Sequence, residues 1–83
     1  MYYVYVLQSN KDKSLYVGYT INLKSRLDRH NDREVLSTKH KSPWKVLFYE
    51  AFANKTDAKK REVYLKSGWG RKSLNKLLAN TLL

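Results

Sequence analysis

Two short runs near the N-terminus, Tyr3-Val4-Tyr5 and Tyr16-Val17-Gly18, place phenols and a glycine in segments that read as strands. A phenol hydroxyl can give or take a proton, although a tyrosine in a strand is ordinarily a packing residue. A glycine inside a strand is costly and often marks a close approach of ligand or backbone. Gly18 is therefore expected to leave an open groove beside Tyr16. Arg26 and His30 stand four apart in a helical stretch and so share a stripe. A guanidinium can grip a phosphate through parallel N–H groups and offset charge that builds on it.

Glu62 falls on a helical stripe with Ala58 and Leu65. A carboxylate turned toward a core needs a partner or a metal. The competing reading makes Val63 and Tyr64 the buried side and lets Glu62 pair with Lys59 or Lys66. The stretch from Lys66 to Lys72 surrounds Trp69 with cations. Such a segment could follow a phosphate backbone and stack on a base. Gly68 and Gly70 suggest instead a tight corner between helices with Trp69 in the core. That corner is expected for Trp69, and a phosphate role for some of the cations.

These side chains depend on the elements that carry them. Tyr2 to Gln8 is aromatic and β-branched, as in a strand buried on both faces. Ser9 to Asp12 is turn chemistry, and Lys13 to Thr20 reads as a second strand, giving a hairpin. A four-residue loop pairs Gln8 with Lys13, Tyr5 with Tyr16 and Tyr3 with Gly18. A slip of two residues keeps these on one face and a slip of one does not. Asn22 caps a helix to about Asn31, with Leu23 and Leu27 inward. The short connection Thr20-Ile21 holds Arg26 near the end of the second strand, beside Tyr16.

Asp32 to Ser42 reads as a loop with a helical turn around Glu34-Val35-Leu36, closed by Pro43. Lys45 to Phe52 is a third strand. Asn54 or Thr56 caps the next helix, which runs to about Lys66. Gly68-Trp69-Gly70 then breaks the chain, and Arg71 to Ala79 is a last short helix. The expected fold is α+β in the order β-β-α-β-α-α: a small three-stranded, mostly antiparallel sheet flanked by helices, as one domain over residues 1–83.

The chain has no cysteine, which excludes disulfides, thiolate metal sites and cysteine catalysis. No apolar run approaches the ~20 residues needed to span a bilayer. The N-terminus lacks a basic leader and a small-residue cleavage site. A cytoplasmic location is the expectation, with no membrane partner. The net charge of +10 favours a polyanionic partner over a merely solubilising surface.

Taken in order and spacing, these residues resemble the GIY-YIG endonuclease superfamily, and within it the small stand-alone bacterial members. Tyr3-Val4-Tyr5 is similar to the first motif and Tyr16-Val17-Gly18 to the second. Arg26 follows Tyr16 by ten positions, as the family's catalytic arginine does, and Glu62 matches its metal-binding glutamate. Tyr3 replaces the initial glycine of the first motif. Asn75 is not carried over as the late polar residue of larger members.

The resemblance implies a metal-dependent endonuclease, acting on DNA rather than RNA in repair or recombination. Mg²⁺ or Mn²⁺ would be held by Glu62. Tyr5, Tyr16, Arg26 and His30 would be catalytic, and Lys24, Arg29, Lys66, Arg71 and Lys72 would bind the nucleic acid. Either Tyr5 or Tyr16 would activate a water, with His30 orienting that water or a tyrosine hydroxyl. Only about one phenol in a thousand is ionised at pH 7 when its pKa is ~10, and neighbouring cations lower that value. A protein partner or homodimer is the expected means of targeting. The alternative is a binding module that keeps the fold without cleaving. A small ribosome-associated protein ranks last.

Overall fold

Strand β1 (Tyr2–Ser9) lies at the centre of a three-stranded antiparallel sheet, between β2 (Leu15–Thr20) and β3 (Trp44–Phe52). Helix α1 (Leu23–Asn31) lies between β2 and β3 in sequence, and α2 (Lys55–Lys66) and α3 (Gly68–Leu77) follow. The structure, a computed structural model, describes residues 1–82, so Leu83, at the end of the span expected as one domain, lies outside them. The α+β class and the β-β-α-β-α-α order are as read from the sequence.

β1 is buried from Val4 to Leu7 because both its faces are covered. Val4 and Val6 pack with Ala58, Leu65, Leu74 and Leu78 of the α2–α3 side. Tyr5 and Leu7 point the other way, toward Trp44, Tyr16, Leu23 and Leu27. The alternation of a strand thus divides one run of residues between two cores.

The hairpin register differs from expectation by two residues. Gln8 pairs with Leu15, Leu7 with Tyr16 and Tyr5 with Gly18. The cause lies in the loop. Ser9 Oγ accepts from the amides of Lys11 (3.0 Å) and Asp12 (3.2 Å), and Asp12 Oδ1 accepts from the Ser14 amide (3.0 Å). Lys13 enters the left-handed region at φ 65°, so β2 starts only at Leu15. A shift of two preserves the face, and the two phenols become diagonal neighbours with ring centroids 6.3 Å apart.

That shift also changes what Gly18 does. A Cβ there would overlap Cζ and Oη of Tyr5. The expected open groove is absent at this point; the space left by the glycine is filled by the Tyr5 ring.

Asn22 caps α1, its Oδ1 accepting from Ser25 N at 3.0 Å. After α1 the chain returns through a loop whose one helical turn is at Lys39–Lys41, not around Glu34-Val35-Leu36. Arg33 at φ 62° diverts the chain after α1. Contacts from Ser9 to Lys41 O (2.6 Å) and from Arg33 to Lys39 O (3.2 Å) tighten the later stretch instead. β3 begins at Trp44, one residue earlier than expected, because Asn31 grips both its backbone groups (2.6 and 3.1 Å).

Of the two candidate caps, Asn54 is the one used for α2, accepting from Asp57 N at 3.1 Å. The last helix is longer at its start than expected: Gly68-Trp69-Gly70 is its first turn, capped by Ser67 (3.2 Å to Gly70 N). Gly70 lets α3 approach α2, since a Cβ there would strike Leu65 Cα and Tyr64 O. Trp69 is turned outward by that contact and is 73% exposed, which corrects its expected place in the core. No helix among the described residues is long and apolar enough to cross a membrane.

Candidate active site

Tyr5, Tyr16, Arg26 and His30 meet on the α1 side of the sheet. β1 and β2 bring the two phenols together through their register. The two-residue connection after β2, in which Thr20 Oγ1 accepts from Asn22 N (3.1 Å), places α1 so that its Arg26–His30 stripe faces them.

Tyr5 is almost fully buried and His30 fully so. Their side chains are joined by a 2.8 Å hydrogen bond between Tyr5 Oη and His30 Nε2. His30 Nδ1 lies 2.7 Å from Thr38 Oγ1, whose own hydroxyl donates to Val35 O at 3.4 Å. With its proton so committed, Thr38 accepts from Nδ1–H. His30 Nε2 is then the free lone pair, and Tyr5 donates to it. Arg26 Nε, which can only donate, reaches Tyr5 Oη at 3.4 Å. Among the described residues, no buried side-chain nitrogen or oxygen lacks a partner.

Burial pushes the Tyr5 phenol above its usual pKa, partly opposed by the hydrogen bond from Arg26. The charge on Glu62 also opposes ionisation of Tyr5, so the carboxylate acts on this cluster from α2. His30 is pushed down to about 4, first by burial and then by the positive charges of Arg26 and Arg29. It is therefore a neutral acceptor near pH 7. The Arg26 guanidinium is held still more firmly in its charged form, chiefly by its bond to Tyr5, with Tyr16 adding to the effect. Tyr16 is half-buried, its ring 5.1 Å from that of His30 and 6.1 Å from that of Trp44.

Glu62 keeps the inward stripe with the buried Ala58 and Leu65, while Val63 and Tyr64 are exposed. Its side chain is only 16% exposed and pairs with both flanking lysines, Lys66 at 2.9 Å and Lys59 at 3.9 Å. Among the described residues, no three His, Cys, Asp or Glu side chains gather as a metal cage. A lone, half-sequestered carboxylate suits a hard cation that retains most of its waters and takes further oxygens from a phosphate.

The expected nucleic-acid contacts divide. Lys66 and Arg71 line a cavity of about 190 Å³ with Tyr16 and Leu65, at the flank of the phenols. Lys24 borders a separate hollow of about 610 Å³ with Tyr3, Leu27 and Tyr49. Arg29 is exposed, and its charge acts on His30. Lys72 stands over the Trp69 ring, 5.4 Å from its centroid.

Three residues that hold this arrangement escape sequence reasoning. Thr38 fixes His30, Trp44 donates its indole N–H to Thr38 O (3.0 Å), and Asn31 clasps Trp44. Thr38 lies in an aperiodic loop, and nothing in its spacing from His30 signals contact. Asn31 closes a predicted helix, and its clasp on Trp44 spans a loop whose path the sequence does not announce.

A family model described as the GIY-YIG catalytic domain matches residues 1–76. The chain is 43% identical over 67 residues to a UPF0213 protein of Clostridium perfringens, spanning 80% of this chain and 71% of the relative. It is 35% identical to a UPF0213 protein of Pediococcus acidilactici, over 99% of this chain and 86% of the relative. Against the UPF0213 protein YsiG of Lactococcus lactis the identity is 40%, over 99% and 79%. No solved structure shows a significant match. The family model spans nearly the whole chain and takes in both tyrosine motifs, Arg26 and Glu62; the protein belongs to the GIY-YIG nuclease superfamily.

Proposed function

We propose that the protein is a metal-dependent endonuclease that hydrolyses a phosphodiester bond, in DNA rather than RNA, with Tyr5 as the group that takes the proton from the attacking water. The observation that carries this is the buried chain Tyr5–His30–Thr38, with Arg26 on the same phenolic oxygen. Tyr5 donates its own proton to His30 Nε2, so its oxygen keeps a lone pair for a water. As the water oxygen attacks phosphorus, its proton passes to Tyr5 Oη and the phenolic proton moves to His30 Nε2. That nitrogen is a weak base at rest, which the negative charge gathering on the phosphate strengthens as it forms. The raised pKa of Tyr5 keeps a standing phenolate scarce, which favours moving both protons together.

Arg26 binds the scissile phosphate and offsets the charge gathering on its oxygens. Tyr16, packed on Tyr5 and His30, orients the water and limits the motion of both rings. Glu62 would hold Mg²⁺ or Mn²⁺, which when bound supplies Lewis-acid stabilisation of the phosphoryl and leaving oxygens. Lys66 and Arg71 receive the phosphates flanking the cleaved bond, and repair or recombination intermediates are the substrate class to test first.

The experiment compares cleavage of branched, nicked and single-stranded DNA, with RNA counterparts, in Mg²⁺ or Mn²⁺. Arg26→Ala is expected to lower the rate by about 100-fold or more, and Glu62→Gln to abolish metal-dependent products. Activity surviving both substitutions overturns the reading. One observation favours the non-cleaving alternative: Glu62 is already neutralised by Lys59 and Lys66 without a metal. That alternative is supported if wild-type protein binds nucleic acid in a salt-dependent way yet yields no products with either cation.

A further inference from the structure

Trp69 is the most exposed large hydrophobic side chain of the helices' first turns, at 73%, and Trp44 by contrast is buried at 5%. Its outward direction is enforced. Gly70, the next residue, must pack bare against α2, and Ser67 caps the turn from below. On the other side of Trp69, Gly68 is a glycine that neither backbone nor packing requires. Its φ is not positive, and a Cβ built on it meets nothing within 4 Å. As the first residue of α3 it costs the helix little, and its missing side chain leaves the flank of the indole bare. Gly68, Trp69 and Lys72 together line an open hollow of about 350 Å³, a volume within the range of small-molecule sites.

The surroundings indicate what fills it. Lys72 Nζ sits 5.4 Å from the indole centroid. Arg71 lines the cavity shared with Lys66 and Tyr16, and Lys66 bonds Glu62 at 2.9 Å. Cations thus run from Glu62 along the α2–α3 corner to the indole, on a molecule of net charge +10. This favours a polyanion over an apolar protein surface.

Resting on the nucleic-acid reading above, we propose that Trp69 is a stacking platform for an unpaired base of the substrate strand, with Lys72 and Arg71 holding the adjoining phosphates. Bases in a duplex already have both faces stacked and offer none to an indole. A splayed or single-stranded nucleotide does. The platform therefore selects strands that are unpaired next to the cleavage site, whatever their sequence, since every base has a π-face.

The test measures binding without cleavage. In EDTA, a labelled single-stranded DNA oligonucleotide and its blunt duplex are titrated by anisotropy, with tryptophan fluorescence recorded alongside. Because Trp44 is buried, quenching by the single strand reports on Trp69. Trp69→Ala is expected to weaken single-strand binding about 5- to 100-fold and Trp69→Phe to restore most of it. Gly68→Leu, which fills the hollow without touching a core, is expected to weaken it as well. Duplex binding, carried by phosphate contacts, stays within about twofold.

Unchanged single-strand affinity in Trp69→Ala overturns the platform, as does an equal loss for single strand and duplex. Cleavage by wild type with Mg²⁺ is scored separately. A selective loss of single-strand binding together with a wild type that cleaves nothing leaves the platform standing and removes the nuclease reading. Cleavage by wild type with Trp69→Ala binding unchanged does the reverse.

Discussion

A buried phenol whose pKa is raised above its ordinary value makes a poor base at neutral pH unless its own proton has somewhere to go. His30 supplies the place, and Thr38 decides which of its nitrogens is available. This arrangement has a thermodynamic signature. His30 is fully buried and faced by Arg26 and Arg29 as charges and by Tyr5 and Tyr16 as neutral rings. Its pKa falls from an ordinary 6.5 to about 4 in the folded chain. Between those values the unfolded chain binds the extra proton and the native chain does not. Stability is therefore fully present above pH 6.5 and is lost as pH falls toward 4, by about 3 kcal/mol from this residue. Urea midpoints at pH 7 and pH 4.5 should separate for wild type. The separation should shrink in His30→Gln, which keeps a polar side chain but cannot titrate; an unchanged separation would show that carboxylates alone cause it.

At the scale of elements, the hairpin sets the site. Its register rests on a loop of hydrogen bonds around Ser9 and Asp12, and on one glycine whose missing side chain is occupied by Tyr5. Gly18→Ala is expected to force the Tyr5 ring out of place. The cost is about 1–3 kcal/mol of stability, with cleavage falling further than binding because the Tyr5–His30 contact is displaced. Thermal melts and single-turnover cleavage, measured on the same preparation, check both halves. Sequence reasoning placed Tyr5, Tyr16 and Arg26 on one face, because strand alternation and a two-residue connection leave little freedom. It misjudged the pairing by two, because Lys13 can adopt a left-handed backbone that its residue type does not announce. It also put Trp69 in the core: two glycines looked alike in the sequence, whereas only Gly70 is packed against a neighbour. The support given by Thr38 was illegible because it comes from a loop without period.

For the molecule as a whole, the charge is not spread evenly in its consequences. Lys66 and Arg71 flank the phenols, whereas Lys24 lies by another hollow and Lys72 by Trp69. Nucleic-acid binding should weaken steeply with added salt. Lys66→Gln and Arg71→Gln should each reduce the slope of log K against log salt by about 1, since each releases one counterion fewer. Affinity measured from low to physiological salt gives these slopes directly, and a slope indifferent to either change would remove that residue from the phosphate track.

The central position of β1 has a consequence in time as well as in space. Tyr5 sits on the strand that is paired on both sides and covered on both faces. Its amide protons should exchange only through global opening, at the slowest rates in the chain. Glu62 rides on α2, which packs against all three strands, whereas His30 and Arg26 ride on α1, which meets the sheet mainly along β3. As the protein warms, α1 should therefore loosen before α2, parting the imidazole from the phenol while the carboxylate is still in place. Thermal inactivation would then begin while the sheet and its carboxylate helix are still native.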